Sequence, residues 1–214
     1  VIAAKKAFIT WSSTPLETRQ KKLLKISNCL KQFSEELGIL DTYDTGNLFS
    51  TMRNDAVWAA GVIEYLCGVA NEIKGEVTHH DKNLHYTKRE PFGIVAKLLP
   101  FNHPIQAFGT SLAAPLITGN CLIIKPSPHT PLSALAFGKI IKDILPPGVI
   151  NIVTGSNETT SVPIVEHPEI KRLSITGSIE AGKEVSKIAS KHLKKISLEL
   201  GGKNPLIIFE DADP

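Results

Sequence analysis

Four short stretches of the 214-residue sequence hold side chains or backbone able to do chemistry. In Pro100-Phe101-Asn102-His103-Pro104, two prolines stiffen a loop that presents one amide. Its NH2 can stabilise an oxyanion without changing charge, although an asparagine alone is more often a turn residue. In Glu199-Leu200-Gly201-Gly202-Lys203, a carboxylate ends an apolar run and two glycines open the backbone behind it. That suits a general base for water; the plainer alternative is a glutamate paired with Lys203. Gly177-Ser178-Ile179-Glu180-Ala181-Gly182-Lys183 is a small-residue turn opening a helix. Backbone N–H groups there can meet a phosphate, with glycine allowing close approach, or the segment is simply a tight strand-to-helix turn. It nearly matches a P-loop, but Glu184 stands where a magnesium-binding hydroxyl is needed, so ATP hydrolysis is disfavoured. Finally, Lys125 and Ser127 can offer an ammonium and a hydroxyl to a ribose or phosphate; otherwise Lys125 snorkels from a strand end.

Apolar runs set the positions of these groups. GIVAKLL (93–99), CLIIK (121–125), VINIVTG (149–155), RLSIT (172–176), KISLEL (195–200) and PLIIF (205–209) read as strands, and four of the gaps can hold a helix. The helix after Lys125 is expected to begin with Thr130 as cap and Pro131 in its first turn. Such alternation predicts an α/β, Rossmann-like parallel sheet with helices on both faces. Ligands bind such sheets beyond the carboxyl ends of the strands, where the four stretches fall. Upstream, residues 1–75 read as a helical layer. Thr14-Pro15-Leu16-Glu17 has the form of a capping box, and its helix is expected to stop at Gly38. A second helix, from about Phe49 to Ile73, places Ala56, Ala60, Ile63 and Leu66 on one apolar face. Residues 76–90 are polar and predict an exposed extended arm.

Composition narrows the function classes. With 24 Lys+Arg against 21 Asp+Glu, the net charge of +3 is too small to argue for nucleic acid. Lys191, Lys194 and Lys195 are explained by a helix C-terminus. Cys29, Cys67 and Cys121 are widely separated, which fits a reducing, cytoplasmic setting and neither a disulfide framework nor zinc. His79, His80 and His85 lack metal-ligand spacing, so no metal is expected. The opening VIAAKKAF shows no targeting pattern. Leu98 to Ile124 carries no Asp, Glu, Lys or Arg, yet Pro100, Pro104, Pro115, Gly109 and Gly119 interrupt it, so it reads as buried core and not as a membrane span.

In order, EPFGIVAKLLPFNHP, TGNCLIIKPSPHTPLSA, PPGVINIVTGS, SITGSIEAG and LELGGKNPLIIFEDADP resemble the aldehyde dehydrogenase superfamily, strongly over about the last 120 residues. The resemblance implies an NAD(P)-dependent oxidoreductase that makes a carboxylate from an aldehyde through a cysteine thioester. It makes residues 91–214 the dinucleotide-binding domain, Asn102 the oxyanion donor and Glu199 the general base. Thr176, Gly177, Ser178 and Gly182 match the turn at the pyrophosphate, Lys125 and Ser127 lie near the adenosine ribose, and Phe101 and Leu200 look like cofactor-pocket contacts. Pro128 stands where many NAD-preferring members carry Glu, which leaves NAD and NADP both open. Phe101 and His103 replace the usual Trp and Phe beside the amide. The family's nucleophilic cysteine lies a few dozen residues beyond the ELGGK motif, so it is expected past Pro214, and the three cysteines present are expected to be structural. Homodimers or homotetramers are implied, with the 76–90 arm as a candidate contact. The competing class is a dinucleotide-binding or interaction module without catalysis.

Overall fold

A computed structural model describes residues 1–213. Four helices come first: α1 (Ile2–Trp11), α2 (Leu16–Gln32), α3 (Ser34–Thr45) and α4 (Phe49–Val69), the last continued by a single 3-10 turn, Ala70–Glu72. Residues at helical spacing bury one face of each, apolar in α1, α2 and α4. Leu23, Ile26 and Leu30 line α2; Ala56, Ala59, Ala60, Ile63 and Cys67 line α4. Two short strands follow, β1 (Val77–His80) and β2 (Asn83–Tyr86), paired antiparallel and exposed along their length. The arm is thus a hairpin, turned at Asp81 with φ +51°.

The remaining strands form a parallel sheet: β3 (Ile94–Leu98), β4 (Cys121–Lys125), β5 (Ile150–Ile152), β6 (Ile170–Thr176) and β7 (Lys195–Glu199), in the order β5-β4-β3-β6-β7. Between them run α5 (Pro104–Ile117), α6 (Leu132–Ile140), α7 (Val162–Glu166) and α8 (Ile179–Ser190). Burial of nearly all of β3 and all of β4 explains their near-continuous apolar sequence. The helical layer packs onto the sheet domain through α5. A methyl group on Gly109 would lie 2.8 Å from Cβ of Ala59, so glycine lets α5 and α4 approach closely. No helix among the described residues is long and apolar enough to cross a membrane.

Several local expectations need correction. The helix predicted at Thr14 does begin at Leu16, but without a capping box: the Thr14 hydroxyl donates back to the Thr10 carbonyl at 3.0 Å. Arg19 ties the entry instead, donating to the carbonyls of Thr14 at 2.6 Å and Ile117 at 3.0 Å. Gly38 is no stop. The chain breaks at Phe33, and Gly38 sits inside α3, where a Cβ would meet the Arg53 backbone at 2.8 Å. The helix ends at Gly46, whose φ of +77° favours glycine. Thr130 does not cap α6; Asp44 on α3 accepts from the Leu132 amide at 3.0 Å. The run 205–209 pairs with no strand among the described residues, and Leu206, Ile207, Ile208 and Phe209 are exposed.

Candidate active site

From β3 the chain steps outward through β4 to β5, then returns to place β6 on the other side of β3. Where successive connections diverge in this way, a crevice opens beyond the carboxyl ends of the strands. Here its volume is about 320 Å³, and Phe101, Lys125, Ser127, Thr176, Gly177 and Ser178 all line it.

The wall on the β6 side is the start of α8. Ser178 caps that helix, its hydroxyl accepting from the Ala181 amide at 3.1 Å. The Gly177 amide donates to the Glu199 carbonyl at 3.0 Å, and Thr176 lies level with Glu199 in the β6–β7 register. Expected contacts Gly182 and Leu200 are placed differently from the other six, since neither lines the crevice. They meet each other: a Cβ on Gly182 would lie 2.6 Å from both terminal carbons of Leu200, so this glycine seats the end of β7 against α8.

On the β4 side, Lys125 and Ser127 are both buried. Burial pushes the Lys125 ammonium below the ordinary lysine range. Ser127 Oγ accepts from the His129 amide at 3.2 Å, closing a short turn around Pro128. Glu184 is the one carboxylate on the crevice wall among the described residues.

Asn102 is exposed in the loop between β3 and α5, and the helical layer fixes that loop by its flanks. Asn47 donates to the Asn102 carbonyl at 2.8 Å, and Thr130 to the Phe101 carbonyl at 3.1 Å. His103 Nδ1 meets Asp55 Oδ2 at 2.7 Å, while Gln106 donates to the other oxygen of Asp55 at 3.1 Å. The Ile105 amide donates to Asp41 Oδ2 at 2.9 Å. None of these bonds uses the Asn102 side-chain amide, which stays available to a ligand. Asp41, Asn47, Asp55 and Thr130 were not expected to support the site. Asp55 carried a readable signal, since a charged residue inside the apolar stripe of α4 needs a buried partner.

Glu199 ends β7 and is exposed; the close ion pairs of the described residues include neither it nor Lys203. No cysteine lines the crevice. Cys67 and Cys121 are buried, with thiols pushed up to about 11 and about 12 chiefly by desolvation, so both are poor nucleophiles where they stand.

A crevice at the divergence of a parallel sheet, with a capped helix start on one wall, is the arrangement shared by doubly wound α/β domains. The family model described as "Aldehyde dehydrogenase family" matches residues 1–214, and the chain belongs to that family. It is 38% identical over 217 residues to aldehyde dehydrogenase tropH of Talaromyces stipitatus, across 100% of this chain and 42% of that protein. Among solved structures, betaine aldehyde dehydrogenase from Staphylococcus aureus in complex with NAD+ superposes with a TM-score of 0.91 at 35% identity, over 99% of this chain and 43% of that one. Lactaldehyde dehydrogenase from Escherichia coli gives 0.90 at 32% identity, over 94% of this chain and 43% of that one. The chain therefore spans less than half the length of these relatives.

Proposed function

We propose that the chain is the cofactor-binding part of an NAD(P)-dependent aldehyde dehydrogenase that oxidises an aldehyde to a carboxylate through a cysteine thioester. The nucleophilic cysteine belongs to sequence outside these 214 residues. The observation that carries the reading is the crevice at the β3/β6 divergence, which gathers Phe101, Lys125, Ser127, Thr176, Gly177 and Ser178.

These residues suit a dinucleotide. The first turn of α8 offers backbone N–H groups to a pyrophosphate. Lys125 and Ser127 present a cation and a hydroxyl to ribose oxygens, and Val165, Val185 and Ile188 give the crevice an apolar wall. Pro128 puts no carboxylate beside the ribose site, so both NAD and NADP remain admissible. A bound nicotinamide would supply the electron acceptor. The chain's own residues do the rest: the Asn102 amide donates to the developing oxyanion, and removing such a donor typically costs about 2.7–4 kcal/mol of barrier. Glu199 takes a proton from the water that releases the acid. An aldehyde-oxidising protein of this family is proposed to act as a homodimer or homotetramer, and three free thiols fit a reducing, cytoplasmic setting.

Titrating NAD and NADP separately into the chain is expected to give saturable binding of at least one. The Lys125→Ala substitution should weaken it about tenfold or more, the scale of one hydrogen bond to a charged group. Absence of saturable binding of either dinucleotide would overturn the proposal.

A further inference from the structure

A second cavity, of about 340 Å³, shares Leu98, Leu99, Pro100 and Thr176 with the crevice and lies between the sheet and α5. Its mixed lining includes Ser111 of α5, Lys97 of β3, Ser174 of β6, and Ser197 and Glu199 of β7. In the parallel register Lys97, Ser174 and Ser197 form one row, and Thr176 and Glu199 form the next row on the same face. Strands about 4.8 Å apart and same-face rows about 7 Å apart put the Cα atoms of Lys97 and Glu199 about 12 Å from one another. A lysine and a glutamate extended toward each other span that distance, directly or through one water, and the cavity has room for several.

The surroundings single out this pair. Desolvation pushes the Lys97 ammonium below the ordinary lysine range, Arg172 adds to that effect, and Glu199 opposes it. Arg172 is engaged elsewhere: it donates to Ser197 Oγ at 2.8 Å and stands 5.6 Å over the Phe92 ring. Lys195 of β7 is level with Arg172, two rows below Glu199. From α5 the cavity receives only Ala107, Thr110 and Ser111, none of them charged, and β4 places Ile124 beside Lys97. Lys97 and Glu199 are therefore the two charged groups lining this cavity.

We propose that Lys97 is a positioning residue for Glu199, its ammonium keeping the carboxylate turned into the cavity they share, where it receives the proton of the attacking water. This rests on the reading of Glu199 as the general base. An ammonium across a small cavity attracts the carboxylate and limits the rotamers it samples.

The test uses the complete protein with Lys97→Met, Lys97→Gln, Lys97→Arg and Glu199→Gln. Steady-state kcat and KM for aldehyde oxidation are measured, and dinucleotide binding serves as the check on folding. Glu199→Gln is expected to abolish most turnover. Both Lys97→Met and Lys97→Gln should bind dinucleotide normally, keep KM and lose about tenfold in kcat. Lys97→Arg should restore kcat. If Glu199→Gln turns over like the unaltered protein, the assignment of the base fails and takes Lys97 with it. If Glu199→Gln is impaired while Lys97→Met and Lys97→Gln turn over at full kcat, or are slowed without rescue by Lys97→Arg, the positioning role alone is overturned.

Discussion

Asp41 shows how a single side chain in the helical layer acts on the site. It is fully buried on α3, with Oδ2 accepting from the Ile105 amide at the start of α5 and Oδ1 left without a partner, as is the nearby Ser133 hydroxyl. Desolvation outweighs the opposing pull of the nearby Ser133 hydroxyl and of the bond from Ile105, and pushes the carboxyl up to about 6. Since the folded value lies above the unfolded one of about 3.9, the folded chain binds the extra proton between them. This group's stabilising contribution is thus full below pH about 4 and is lost as pH rises through about 6, a swing of about 3 kcal/mol. Asp41→Asn keeps an acceptor for Ile105 and removes the charge. Urea unfolding should find the variant more stable than the parent at neutral pH, with the gap closing toward pH about 4. An unchanged gap would refute it. At this scale the sequence exposes residues placed at or just past a strand end, which is why Asn102, Glu199 and Lys125 stood out. Asp41, Asp55 and Lys97 were hidden because their importance comes from partners far along the chain, on elements whose packing no local pattern declares.

Elements were legible wherever hydrophobic period and length agreed. The five strands of the sheet and the apolar face of α4 are readable in their sequences because burial selects the residue types. Helix caps are less legible. Two proline-led helix starts were correctly located, yet both are held by tertiary partners, Arg19 for α2 and Asp44 for α6. Gly38 misled because glycine marks close approach as often as it marks an end, and here Arg53 occupies the space. The hairpin is the element that the rest of this fold leaves unused. Its strands are exposed throughout, and Val77, Leu84 and Tyr86 present apolar surface at 65%, 58% and 72% exposure. Both of its edges are open to pairing with another subunit. Removing residues 76–90 should lower the oligomer mass seen by light scattering and leave dinucleotide binding intact. Unchanged mass would refute the contact.

For the molecule as a whole, strand order matters more than any one contact. Continuous apolar runs announced a parallel sheet, but nothing local says that β6 returns beside β3, and that return creates the crevice. The fold class was therefore readable while the meeting of Thr176, Lys125 and Phe101 was not derivable from spacing alone. The same order puts β7 at the margin, with β6 as its single neighbour, whereas β3 lies between two. Amide hydrogen exchange should accordingly be slower in β3 than in β7. Equal protection in the two strands would contradict this. The rung from Gly177 to Glu199 joins the cofactor turn to that marginal strand. Under the proposed reading, a dinucleotide that stiffens this turn also steadies the end of β7, so the expected order of arrival is the dinucleotide first and the aldehyde second.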